Sequence, residues 1–244
     1  MLKIAAVGIL VFCYLFFSYI RFYNFIGEID LKSPYTLNPV VLENTQGEGV
    51  YKYIALGDSL SAGVGSPSIN DTFTYLYAKT LSESCQKVNV LNLAQPGGTT
   101  VDVIYSQLPR SIEENPNFIT LLIGTNDIHN KRTIKDFRDK YSFILNELLT
   151  KTTAQITVIN IPYLGSNKLV FPPFNFLLDV RTRQFNKVIY DLVSTMNVDK
   201  RLKFIDLYKS TYKLSKENPK YYSSDLFHPS GEGYVIWGNI INAN

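Results

Sequence analysis

From Tyr51 onward, short apolar runs of strand length alternate with longer stretches whose apolar residues recur at helical spacing, and this rhythm is the strongest restriction on the fold. The strand-like runs are Tyr51–Leu56, Val88–Leu93, Phe118–Ile123, Ile156–Ile161 and Leu202–Leu207. Between them lie Phe73, Leu76, Tyr77 and Leu81 behind Asp71, then Val101, Ile104 and Leu108 behind a Thr99 or Thr100 cap, with Pro109 helping to end that helix. Thr133 and Asp136 form a capping-box pattern that opens a helix carrying Phe137, Tyr141, Ile144, Leu145 and Leu148. Phe185 to Met196 and Tyr234 to Ile241 mark two further helices. Parallel strands need a crossover of a dozen or more residues, which such helices supply, so the body is expected to be an α/β domain: five parallel strands covered by helices.

The chain has 244 residues, enough for one sizeable α/β domain, and its 45% hydrophobic content supplies a core. The formal charge is only +3, with Lys and Arg scattered among Asp and Glu, so no nucleic-acid partner is expected. Cys13 lies in an apolar N-terminal run and Cys85 in the body; they do not make a disulfide framework, and with only two histidines no metal is expected.

Ile4 to Ile20 carries no charge and is bracketed by Lys3 and Arg21. As a helix it reaches roughly 25 Å, slightly short of a hydrocarbon core of about 30 Å unless Phe22 to Ile26 join it. The small residues of a cleavage site are missing, so residues 1–26 read as an uncleaved membrane anchor or signal-anchor, 27–50 as a tether and 51–244 as the functional domain. Lys3 favours an inside amino terminus and an extracytoplasmic body, against which Arg21 pulls; cleavage of the segment would make the protein secreted. A core helix of a soluble protein is the other reading, disfavoured by apolarity on every face.

Ser59 follows the first strand, in the turn Gly57-Asp58-Ser59-Leu60, at the carboxyl end where parallel sheets place their ligands. A serine nucleophile needs a base to remove its proton and donors to stabilise the oxyanion it creates. Polar clusters also stand at Asn92 to Thr99, at Gly124-Thr125-Asn126-Asp127, and at Asp225-Leu226-Phe227-His228 before the final helix. In order and chemistry these four blocks resemble the SGNH or GDSL family of serine esterases and lipases, over the body from about Tyr51 to the end. The resemblance implies a flavodoxin-like three-layer α/β/α sandwich. It also implies Ser59 as nucleophile, His228 as base, and Asp225 as the carboxylate that fixes the His228 tautomer. The family's oxyanion donors map onto the Ser59 N–H, the Gly97 N–H and the Asn126 amide; Gly98 leaves the glycine open by one position, and Pro96 departs from the small polar residue usual there.

Each residue has a plainer reading: Asp225 as a turn cap, His228 as a solvated loop residue, Gly97 and Asn126 as turn formers. Asp58 and Asp127 read as acceptors that brace loops, with a paired-carboxylate glycosidase as the functional alternative. His129 is placed near the pocket rim as a surface or substrate-contact residue. Tyr163 to Leu178 gathers Phe171, Phe174, Phe176, Leu177 and Leu178; it either walls an acyl pocket or touches a bilayer, or is buried under the adjoining helix. The activity implied is cofactor-free hydrolysis of a small-molecule or lipid ester through an acyl-enzyme. An acyltransferase or a carbohydrate O-acetylesterase would use the same residues, as would a thioesterase or protease, and an inactive cell-surface binding module would keep the fold alone.

Overall fold

Six strands form one sheet in the order β1-β3-β2-β4-β5-β6. They are β1 (Val40–Glu43), β2 (Val50–Gly57), β3 (Lys87–Asn92), β4 (Phe118–Leu122), β5 (Gln155–Ile159) and β6 (Leu202–Ile205). The computed structural model describes residues 2–27, 31–35, 39–45, 47–164, 169–197 and 199–243. The five strands from β2 onward run parallel, as expected, with Ile54 opposite both Leu91 and Ile119 at the centre. Side chains alternate across this sheet. On β2, Ile54 and Leu56 join one buried cluster while Tyr53 and Ala55 join the other; on β4, Ile119 and Leu121 part from Leu122 in the same way.

Helices cover both faces. On the first lie a helical stretch made of α3 (Thr100–Asp102), a π-helical segment (Val103–Gln107) and α4 (Leu108–Glu113), then α6 (Ile134–Lys151) and α7 (Phe174–Met196). On the second lie α2 (Phe73–Ser82), α8 (Leu207–Glu217) and α9 (Gly231–Ala243). Gly238 lets α9 approach α2, since a Cβ there would stand 2.5 Å from Leu76 Cδ1. The short α5 (Thr125–His129) follows β4, and α1 (Leu2–Gly27) precedes everything.

Four features differ from the sequence reading. Within the segment 27–50, β1 pairs antiparallel with β3, half-burying Val40 and Leu42 by period-two alternation and covering an edge that would otherwise expose unpaired backbone. Pro109 does not end its helix. The turn widens into the π segment just before it, where Leu108 N–H reaches Val103 O, and this relieves the clash a proline ring makes with the carbonyl four residues back. Helix α7 begins at Phe174, so Phe174, Phe176, Leu177 and Leu178 of the apolar segment beyond β5 lie on its first turns; residues 165–168 of that segment lie outside the described residues. Asp206 ends the last strand early by capping α8, whose Lys209 N–H it accepts.

Helix α1 includes 20 residues, Ala5–Asn24, with a mean hydropathy of 1.9 and 6% of that apolar window buried, so it is long and apolar enough to cross a membrane.

Candidate active site

The strands β3, β2 and β4 are neighbours and parallel, so the loops at their carboxyl ends lie side by side. Gly57 ends β2 at φ +149°, where a Cβ would stand 2.2 Å from Leu122 O, so only glycine admits this approach. The chain then turns tightly: Leu60 N–H donates to Asp58 Oδ1, Ala62 N–H to Asp58 O and Val64 N–H to Ser59 O. Ser59 is 4% exposed. Its own N–H has no partner among the described residues.

The loop before α9 brings the second set of groups to Ser59. Leu226 adopts φ +55°, and the turn around it directs Ser223 Oγ and the N–H groups of Phe227 and His228 at Asp225 Oδ1, each within 2.9 Å. Asp225 Oδ2 then pairs with His228 Nδ1 at 2.7 Å, while His228 Nε2 lies 2.8 Å from Ser59 Oγ. Burial would raise the Asp225 pKa, but these four donors and the imidazole charge outweigh it and hold the carboxyl at about 2. Gly65, at φ +90°, permits this docking: a Cβ would stand 2.6 Å from Pro229 O and 2.8 Å from His228 Cβ.

The third set lies after β3 and β4. Gly97, at φ +79°, is exposed and its N–H has no partner among the described residues, whereas Gly98 N–H is taken by Gln95 O at 2.8 Å. Asn126, in the first turn of α5, donates one amide hydrogen to Gly98 O at 2.8 Å, which ties it to the glycine turn and leaves the other hydrogen available. Asp127 braces the same junction, accepting Thr100 N–H at 2.9 Å and Thr100 Oγ1–H at 2.6 Å while Arg132 Nε stands 3.0 Å away. Burial raises its pKa nonetheless.

Two further titratable groups are buried here. Burial pushes Asp58 up to about 7, reinforced by Asp127 and opposed by Leu60 N–H and Thr125; neither Asp58 Oδ2 nor Thr125 Oγ1 has a well-formed hydrogen bond among the described residues. Burial drives His129 down to about 4. A hydroxyl, an imidazole and a carboxylate in hydrogen-bonded series, beside unpaired N–H groups, can support nucleophilic acyl transfer.

The GDSL-like lipase/acylhydrolase family matches residues 55–236, a span that includes all of these groups. The chain belongs to that family. Among solved structures, the lipase/acylhydrolase from Enterococcus faecalis is similar with a TM-score of 0.63 at 24% identity, over 79% of this chain and 94% of that one. The acetylxylan esterase Axe2 from Geobacillus stearothermophilus gives 0.60 at 17% identity, over 80% of this chain and 93% of that one. Phospholipase A1 from Streptomyces albidoflavus NA297 gives 0.63 at 18%, over 80% and 99%. No curated protein matches the chain. At these identities the likeness concerns the fold, and the family match places the chain among esterase and lipase hydrolases.

Some residues that shape this GDSL family site escaped the sequence reading. Gln107 bonds both the N–H and the C=O of Gly57 from inside the π segment, and Thr100 anchors Asp127. The only signal for Gln107 is a polar residue on the buried face of an amphipathic helix. Gly65 lies in the turn after Ser59, but its approach to His228 is visible only in three dimensions.

Proposed function

We propose that the protein is a membrane-anchored serine ester hydrolase in which Ser59, His228 and Asp225 form the catalytic triad. The observation that carries this reading is the unbroken series Asp225 Oδ2, His228 Nδ1, His228 Nε2, Ser59 Oγ, with both contacts below 3 Å. Asp225 accepts the Nδ1–H, which leaves Nε2 as the lone-pair nitrogen facing the hydroxyl. Ser59 Oγ attacks the ester carbonyl as its proton passes to Nε2, and Asp225 stabilises the imidazolium that forms. The carbonyl oxygen, now an oxyanion, takes hydrogen bonds from Ser59 N–H, Gly97 N–H and the Asn126 amide. Collapse expels the alcohol, which receives the proton from Nε2, and leaves an acyl-Ser59 ester. Water then attacks that ester by the same route in reverse, releasing the acid. The choice of Gly97 over Gly98 rests on the Gly98 N–H being committed to Gln95.

Residues 1–26 serve as the anchor, 27–50 join it to the domain of residues 51–244, and the positive amino end puts that domain on the extracytoplasmic side. The test is labelling with a fluorophosphonate probe together with hydrolysis of nitrophenyl esters. Wild-type protein is labelled and active, and Ser59→Ala is neither; a folded wild-type protein that takes no label is a binding module instead. Acyl transfer to an added alcohol in preference to water would make it a transferase on the same residues.

A further inference from the structure

We infer that the cleft between the end of α1 and the start of α7 binds the acyl chain of a membrane phospholipid, so that the anchor helix itself forms one wall of the substrate site. This deepens the esterase reading and rests on it. Tyr19 and Phe22, one turn apart on α1, face Phe174, Leu177 and Leu178 on the first turns of α7 across a cleft of about 500 Å³, a size common for small-molecule sites.

The cleft adjoins the loop that carries His228, since Val170, which lines it, belongs to the same apolar cluster as Phe227. Phe227 precedes His228, with ring centroids 5.1 Å apart, and packs with Val170 and Phe22 in a cluster that joins α1 to the catalytic loop. His129, also lining the cleft, lies 5.5 Å from the Phe227 ring and 6.0 Å from Phe22, and sits one turn beyond Asn126 on α5. Its Nε2 is buried without a hydrogen-bond partner among the described residues. An unpaired polar atom in an apolar cleft is costly unless a ligand completes it, and the glycerol oxygens of a phospholipid suit a neutral imidazole.

Two observations favour a lipid drawn from the bilayer over a soluble ester. Tyr19 and Phe22 fall at the carboxyl end of the apolar stretch Ala5–Asn24, which sets the cleft at the level of the membrane interface, and Phe176 and Leu177 are 62% and 56% exposed beside it. Among the described residues, those lining the cleft include Lys131 and Arg181 and no carboxylate, which complements a phosphate headgroup.

The test uses full-length protein in vesicles of phosphatidylcholine and phosphatidylglycerol. Ser59→Ala protein is exposed there to a phospholipid carrying a diazirine in its acyl chain, and the adducts are mapped by mass spectrometry. Adducts are expected on Phe22, Val170 and Phe174; labelling spread around the faces of α1, with none on Val170 or Phe174, overturns the inference. In protein with intact Ser59, Leu177→Trp should lower the ratio of dodecanoyl-ester to acetyl-ester hydrolysis about ten-fold by filling the cleft. An unchanged ratio also overturns it. Adducts in the cleft of a protein that hydrolyses neither ester would instead count against the esterase reading alone.

Discussion

Gln107 clasps Gly57 at both ends of one residue: its Oε1 accepts the Gly57 N–H at 2.9 Å and its Nε2 donates to the Gly57 C=O at 2.8 Å. The clasp holds the strand end two residues before Ser59, from a helix widened by a π turn at that point. Side-chain polarity inside the core is therefore spent on positioning the turn that carries Ser59, and packing alone does not define its position.

Gln107→Leu should leave the Gly57 N–H buried and unsatisfied, since only the carbonyl keeps a second donor, Gln95 N–H. The expected loss is about 1–3 kcal/mol of stability, read from urea denaturation, together with a lower kcat. Unchanged stability would mean that the turn is held by its own backbone bonds.

Gly65→Ala combines a strained φ of +90° with a clash against Pro229 O and His228 Cβ. The loop that carries Asp225 and His228 should move away from Ser59, so kcat for nitrophenyl acetate falls by more than ten-fold, about 1.4 kcal/mol in the barrier, while the far side of the sheet is unaffected. Gly49→Ala is the control for strain without collision: its φ is +81°, and nothing lies within 4 Å of the added Cβ. A larger effect at Gly49 than at Gly65 on the fluorophosphonate labelling rate would contradict this account.

Asp225→Asn keeps the shape of the loop but removes the charge and permits the wrong His228 tautomer, and about a 10⁴-fold loss in kcat is expected. Asn126→Ala removes one of the proposed oxyanion donors, with about a 10²–10³-fold loss expected. Steady-state kinetics on one short ester measures both. If Asn126→Ala is the more damaging, its bond to Gly98 O has a larger structural part than supposed.

Asp58 gives stability a pH dependence of definite sign. Its folded pKa, raised by burial to about 7, lies above the ordinary carboxylate value, so the folded state binds the extra proton. Stability is then greatest below about pH 4 as far as this group is concerned, and falls as pH rises toward 7. At about 1.4 kcal/mol per unit the fall is on the order of 4 kcal/mol. Asp58→Asn retains an acceptor for Leu60 N–H and should flatten that slope, measured as Tm against pH for the two proteins. Parallel curves would rule Asp58 out as its source.

The five parallel strands were legible because each is an apolar run of strand length between turn clusters, and five of the covering helices because their apolar faces repeat over two or more turns. Strand β1 was not, since four residues after Pro39 carry too little periodicity; only the open edge of β3 gives them a place to pair. Pro109 misled because a helix can widen by one residue around a proline, which propensity does not anticipate. At the site, Ser59, Gly97, Asn126, Asp225 and His228 were all visible as residue types in turns. Which glycine keeps a free N–H was not, because that depends on where the Gln95 carbonyl points.

Sequence alone determined the alternation of strand and helix, the apolar N-terminal helix, and the polar loops at the strand ends, since each is written in spacing along the chain. Tertiary structure decided that His228 meets Ser59 across 169 positions, that Gln107 reaches Gly57, and that α1 and α7 enclose a cleft. It also shifted the pKa of Asp58 up and that of His129 down by burial. These depend on desolvation and on contacts between distant segments, and both come into being only when the layers pack.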